Sequence, residues 1–151
     1  MTGDIDDQEN RTSAVGLYHY AISYRRAADA LASVKLKATH PDAPREFLYY
    51  HSIELFLKAY LRNAGVRVQE LKKIGHRFDK LAQMYIAKAG FLMDEDQEVL
   101  ALMSATDVVP RARYIVTGII RKPALQALAR TAKSLNDTVR VAMKQAGQPV
   151  R

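Results

Sequence analysis

The segment YYHSIELFLKAYLRNAG (residues 49–65) is an apolar helical pattern with His51, Glu54 and Lys58 inside it. At about 100° of rotation per residue, Glu54 lies in the middle of an apolar helix face. That face is formed by Phe47, Tyr50, Leu57 and Leu61. Burying a charge is costly unless a partner neutralises it. The segment therefore predicts either a reactive or binding site or an internal ion pair.

The spacing of the charged residues favours an ion pair. Glu54 and Lys58 are four residues apart in acid-before-base order, which is the favourable arrangement on a helix. His76 follows Gly75 at an expected helix start, where it can close the loop or anchor against the helix that carries Glu54. We expect Glu54, Lys58 and His76 to form an internal polar clamp, with a catalytic site as the alternative.

The rest of the sequence predicts an all-α fold, an up-and-down antiparallel bundle of about five helices. Capping and helix-breaking residues give the boundaries. The expected starts are Ser13, Pro44, His76 or Arg77, Asp94 and Pro123. The second and later helices are expected to end at Gly65, Gly90, Pro110 and Gly147. Residues 66–75 are predicted to be a connector, with a helical turn as the alternative, and RARYIVTG (111–118) a helical continuation or an irregular segment.

Composition limits the class of protein. The 151 residues suit one domain, which we place at 13–147 after a disordered acidic tail at 1–12. No apolar run is long enough to span a membrane, and the acidic start is unlike a signal sequence. We expect a cytoplasmic protein that does not bind a membrane. The sequence has no cysteine, no glycine-rich phosphate loop and no histidines at metal-ligand spacing, so we expect no metal and no cofactor.

The charge is unevenly distributed. The net charge is +7. From Arg111 onward the sequence contains nine basic residues and only one acidic residue, Asp137. A basic half can attract RNA, DNA or nucleotides, although solvated helix faces are the simpler explanation. The best contact candidates are basic residues with an aromatic among them, beside a helix break. They are Arg111, Arg113, Tyr114 and Arg121.

Two stretches together resemble a known superfamily. HSIELFLKAYLRNAGV (51–66) and GHRFDKLAQMYIAKAG (75–90) contain the patterns ELxLKAxLxxxG and GHxxxxL. This succession resembles the HEPN superfamily, helical domains named for higher eukaryotes and prokaryotes nucleotide-binding. The resemblance implies a bundle of four to five helices, often dimeric. Some HEPN members are metal-independent ribonucleases in toxin–antitoxin, phage-defence or RNA-processing systems, and others bind nucleotide or nucleic acid without catalysis.

The ribonuclease members carry an Arg-x4–6-His motif, and Arg45 and His51 match it with five residues between them. The resemblance gives histidine an acid–base role and arginine the role of steadying phosphate charge. The family motif usually lies in a later helix, whereas this match precedes the ELFLKAYL signature. A regular helix would also hold the two residues about 120° apart. They would meet only if the chain bends near Pro44 or if two subunits share the site.

Three functions follow from these patterns. The first is a non-catalytic HEPN-like module that binds nucleotide, RNA or a protein partner through its basic surface. The second is a ribonuclease, a toxin or phage-defence component, using Arg45 and His51 with an antitoxin or nucleotidyltransferase as partner. The third is a structural or partner-binding dimer. We favour the first and expect a homodimer.

Overall fold

The structure is a computed structural model that describes residues 11–106 and 122–151. Within these ranges the chain is all-α, with six α-helices and no strand, which confirms the predicted class. The helices are α1 (Ala14–Ala30), α2 (Ala43–Asn63), α3 (Val68–Ile74), α4 (Phe78–Ala87), α5 (Asp94–Ala105) and α6 (Leu125–Gln145). A short 3-10 helix, Leu31–Ser33, continues α1.

Hydrogen bonds along their length fix α1 antiparallel to α2. Three side chains of α2 donate hydrogen bonds to backbone oxygens in or just before α1, since Thr12 lies two residues before its first residue. The pairs are Arg62 with Thr12 (3.0 Å), Ser52 with Ala21 (2.7 Å) and Arg45 with Ala28 (3.0 Å). The α2 residue numbers fall as the α1 numbers rise, so the two helices run in opposite directions.

Helix α2 forms the centre of the core. It packs against α1, α4 and α6, and its buried residues lie on most sides of the helix. The buried residues are Tyr49, Tyr50, Ser52, Ile53, Glu54, Phe56, Leu57, Ala59 and Leu61. Phe47, predicted on the apolar face, is instead partly exposed near the start of the helix. Because α2 is enclosed, any charge in its middle must find its partners inside the protein.

The short helix α3 returns the chain alongside α2. Val66 N donates to Leu61 O at the end of α2, and His76 then reaches the level of Glu54. Helix α4 runs in the same direction as α2. Its start, at Phe78, contacts Tyr50, with ring centroids 5.8 Å apart. Residues 66–75, predicted to be a connector that could include a helical turn, therefore contain a helix of seven residues that positions His76.

The last two helices complete the alternation of directions. Helix α5 packs antiparallel to α4, since one groove is lined by Ile86 and Leu92 at one end and by Phe78 and Leu100 at the other. Helix α6 runs with α2. Lys122, just before α6, pairs with Glu46 near the start of α2. Successive helices thus alternate in direction, which confirms the up-and-down arrangement.

Two helix ends differ from the sequence expectation. Asp94, predicted as an N-cap, is the first residue of α5, and Met93 takes the N-cap position. Gly90 was expected to stop α4, yet the left-handed residue there is Ala89, with φ 63°. A Cβ at position 90 would lie 2.5 Å from the Tyr85 ring, so Gly90 allows that ring to pack against the backbone.

The other predicted boundaries are close to those observed. Ser13 caps α1 by accepting a hydrogen bond from Gly16 N at 3.0 Å. Gly65 and Gly147 adopt positive φ after α2 and α6. Helix α6 begins at Leu125, two residues after Pro123. Residues 1–10 of the predicted tail, Pro110 and the RARYIVTG segment lie outside the described ranges.

Candidate functional site

The carboxylate of Glu54 is the centre of a polar group at the junction of α2 with the loop between α3 and α4. Its side chain is 4% exposed. His76 donates a hydrogen bond from Nδ1 to Oε1 of Glu54. Lys58 Nζ lies 3.5 Å and His51 Nδ1 4.0 Å from Oε2 of the same carboxylate. We call Glu54, Lys58, His51 and His76 the Glu54 cluster.

Local helix geometry supplies three members of the Glu54 cluster. His51, Glu54 and Lys58 are three and four residues apart on α2, so they share one face of that helix. His76 reaches Glu54 from the loop between α3 and α4. That loop begins at Gly75, which ends α3 in a left-handed conformation with φ 60°. The structure therefore brings together the three residues that we expected to form a clamp, and adds His51 to them.

The charges within the Glu54 cluster balance. The buried carboxylate of Glu54 faces the ammonium of Lys58, whose side chain is 14% exposed, which offsets much of the desolvation of both groups. The two imidazoles connect the cluster to solvent. His76 is 50% exposed and His51 is 28% exposed. Since Nδ1 of His76 is bound to Glu54, its Nε2 is the nitrogen that can meet an incoming group.

His51 sits against aromatic rings. Its ring centroid is 4.4 Å from that of Tyr24 in an edge-to-face arrangement, and Phe47 stacks over it at 6.3 Å. Burial lowers the pKa of His51, while the carboxylate of Glu54 raises it and the nearby His76 and Lys58 lower it further. The imidazole of His51 is thus favoured in its neutral form.

Arg45 contacts a different part of the molecule from His51. Its Nε donates to Ala28 O at 3.0 Å, and its guanidinium lies 5.8 Å from the centre of the Tyr49 ring. The Tyr49 hydroxyl in turn donates to Asp29. Pro44 lies in the first turn of α2, which continues as an α-helix through both Arg45 and His51. Within one chain they contact different groups, and a site shared by two subunits stays a prediction.

The predicted contact residues Arg111, Arg113, Tyr114 and Arg121 lie in residues 107–121, outside the described ranges. The structure instead draws attention to basic residues that the sequence analysis did not single out. Each is exposed and lies within four residues of His76 along the chain. They are Lys72, Lys73, Arg77 and Lys80, which we call the basic rim. The string KKIGHR (72–77) carries the signal, although its pattern predicts only a connector and a helix start.

The basic residues of α6 are partly neutralised. Lys133 pairs with Asp137 at 2.9 Å, and Arg140 pairs with the same carboxylate at 3.5 Å. In the basic rim, Arg77 pairs with Asp79 at 3.4 Å, and both side chains are exposed. Exposed pairs of this kind are weak and exchange readily with other ligands.

Across 11–106 and 122–151, no three His, Asp or Glu side chains are grouped as ligands for a metal ion. In the Glu54 cluster, Nδ1 of His76 points at the carboxylate itself. No helix in these ranges combines the length and apolar character that a membrane span requires.

The fold and the Glu54 cluster define an all-α protein with a buried carboxylate that two imidazoles and a lysine surround. Comparison with protein-family models, curated proteins and solved structures finds no match to this chain. The HEPN resemblance therefore rests on the residue patterns at 51–66 and 75–90.

Proposed function

We propose that this chain is a non-catalytic, HEPN-like module that binds a phosphate-bearing ligand, RNA or nucleotide, through its basic surface. The observation that carries the proposal is the position of the basic rim. Four exposed cationic side chains lie within four residues along the chain of His76, the half-exposed member of the Glu54 cluster. Cations concentrated on one surface attract phosphates and release counterions when they bind.

The non-catalytic part of the proposal rests on how the ionisable groups are used. Both oxygens of Glu54 face cationic or hydrogen-bonding groups of the same chain. Arg45, the candidate for steadying a phosphate, is bound to Ala28 O and Tyr49. The Glu54–Lys58 ion pair lies within α2, His76 ties it to the loop before α4, and such a pair does no chemistry by itself. The Glu54 cluster then acts as the support that holds the basic rim in place.

His76 provides the connection between that support and the ligand surface. Its Nδ1 is fixed by Glu54, so the ring has one orientation, and its Nε2 is left to hydrogen-bond a phosphate oxygen or a base. A homodimer, implied by the HEPN resemblance, belongs to the same proposal. Sedimentation of the purified protein over a range of concentrations tests it.

The experiment measures binding of a fluorescein-labelled single-stranded RNA of 20 nucleotides at several salt concentrations. The test variant is Lys73→Glu/Lys80→Glu in the basic rim. The matched control is Arg130→Glu/Lys144→Glu on α6, which makes the same change in net charge at exposed positions. For single strands each phosphate contact contributes about −0.7 to the salt slope, so the test variant should reduce the slope by roughly 1.4.

The proposal predicts that the control variant keeps most of the affinity and that the RNA stays intact with a chelator present. Equal losses in both double variants would show a diffuse charge effect and contradict a site at the basic rim. Cleavage of the RNA that disappears in His51→Ala, with the helical circular dichroism unchanged, would replace this proposal with the ribonuclease alternative.

A further inference from the structure

A second surface carries features that RNA or nucleotide binding does not use. Helices α4 and α5 enclose a groove with a volume of about 210 Å³. We call it the α4–α5 groove. Its apolar lining includes Ala82, Ile86, Leu92, Leu100 and Ala101. An apolar cavity of about 150 Å³ holds a benzene molecule, so this groove has room for one leucine or aromatic side chain.

Exposed apolar side chains occur at the groove residue Ile86 and on both sides of the groove residue Leu92 along the chain. Ile86 is 48% exposed, Phe91 is 66% exposed and Met93 is 39% exposed. All three lie within eight consecutive residues, from the end of α4 to the residue before α5. Single exposed apolar residues are common, but a group beside an apolar groove marks an interaction surface.

The charges beside the α4–α5 groove are acidic, although the whole chain has a net charge of +7. On α5, Asp94 and Glu98 lie about 60° and 100° around the helix from Gln97, which lines the groove. Both are exposed. On α4, Asp79 itself lines the groove, and Lys80 and Lys88 lie about 130° and 150° from the centre of the groove-lining face. The groove therefore has an acidic edge at Asp94 and Glu98, and the lysines of α4 lie away from it.

These charges argue against a second copy of this chain as the occupant. A two-fold axis that crosses the groove would place each acidic edge opposite the same edge of its partner. Asp94 and Glu98 would then repel their own copies, and like charges across an interface are unfavourable. The complementary partner carries apolar side chains and positive charges on the same face.

We propose that the α4–α5 groove binds a basic amphipathic helix of a partner protein. One large apolar side chain of that helix enters the groove between Ile86 and Leu100, and its lysines or arginines lie against Asp94 and Glu98. Two antiparallel helices present a groove in which a third helix can lie, which is a common mode of peptide recognition. None of the residues proposed to contact this helix belongs to the basic rim, so the two proposals stand or fall separately.

The probe is a fluorescein-labelled 18-residue synthetic helix of leucine, alanine and lysine, with its leucines on one face. The matched probe has glutamate in place of every lysine. Fluorescence anisotropy should give the wild-type protein at least tenfold higher affinity for the lysine peptide than for the glutamate peptide. Ile86→Asp should reduce lysine-peptide binding at least tenfold. Val141→Asp, at a side chain 51% exposed on α6, should leave it unchanged.

A charge exchange keeps the test independent of the folding of the Ile86 variant. Asp94→Lys/Glu98→Lys changes two exposed residues and should reverse the preference, so that the glutamate peptide binds more tightly. Equal binding of both peptides, binding of neither, or no reversal in the exchanged variant would overturn the proposal. So would a wild-type dimer that Ile86→Asp converts to a monomer, because a second copy would then occupy the groove.

Discussion

Among the residues that the structure describes, two carboxylates are buried, and their surroundings differ. Glu54 on α2 is 3% exposed as a whole residue, and a lysine and two imidazoles surround its carboxylate. Asp96 on α5 is fully buried, and its Oδ1 accepts a hydrogen bond from Thr131 Oγ1 at 2.7 Å. Its Oδ2 has no hydrogen-bond partner. Asp96 instead lies in the first turn of α5, where the helix dipole favours a negative charge.

The two carboxylates therefore have different roles. Glu54 supports a surface site, whereas Asp96 connects two helices. The Glu54 cluster opens to solvent through His76 and His51, so a ligand or a proton can reach it. Asp96 is enclosed where α5 meets α6 and joins them through Thr131. A buried acid with partly exposed partners can respond to its surroundings, whereas the single hydrogen-bond donor of Asp96, the Thr131 hydroxyl, is itself buried.

The largest effect should come from breaking the Glu54 cluster. Glu54→Gln removes the charge that Lys58 faces, and removal of one partner from a buried pair costs about 3 kcal/mol. We expect the free energy of unfolding to fall by about that amount in urea denaturation. The double variant Glu54→Gln/Lys58→Met should lose less than the sum of the two single variants. Additive losses would show that the two charges do not interact.

A smaller effect should follow at Asp96. Thr131→Val removes the hydroxyl that donates to Asp96 Oδ1 and keeps the side-chain shape. A buried carboxylate left without this donor costs about 1–3 kcal/mol. Thr138→Val on the same helix is the control, because Thr138 is only partly buried. Equal urea midpoints for the two variants would mean that another group satisfies Asp96.

The smallest effect concerns pH. Burial lowers the pKa of His51, so below about pH 6.5 the unfolded chain binds a proton that the folded chain does not. Stability should therefore decline as pH falls below about 6.5 and level off above that value. His51→Gln should remove this part of the decline in urea midpoints between pH 7.5 and 5.5. His40→Gln, at an exposed histidine, should keep it. An identical decline in both variants would contradict the role given to His51.

Local geometry explains which features could be predicted from the sequence. The Glu54–Lys58 spacing and the Ser13 cap depend on residues three or four positions apart, and helical periodicity is sufficient to find them. The position of His76 after Gly75 predicted its contact with the helix of Glu54, whereas the contact between Asp96 and Thr131 depends on how helices pack, which periodicity does not contain. Gly90 shows the same limit, because it accommodates the Tyr85 ring rather than a left-handed turn.

The hydrogen bonds between α1 and α2 have a consequence for the loop that joins these helices. Sliding α1 by one turn would break the bonds made by Arg62, Ser52 and Arg45 at once. The alignment of the two helices therefore does not depend on residues 34–42, and lengthening a loop costs little entropy. Insertions there should be tolerated, which makes this connection a suitable place to attach a fluorophore or an affinity tag without moving Tyr24 from His51.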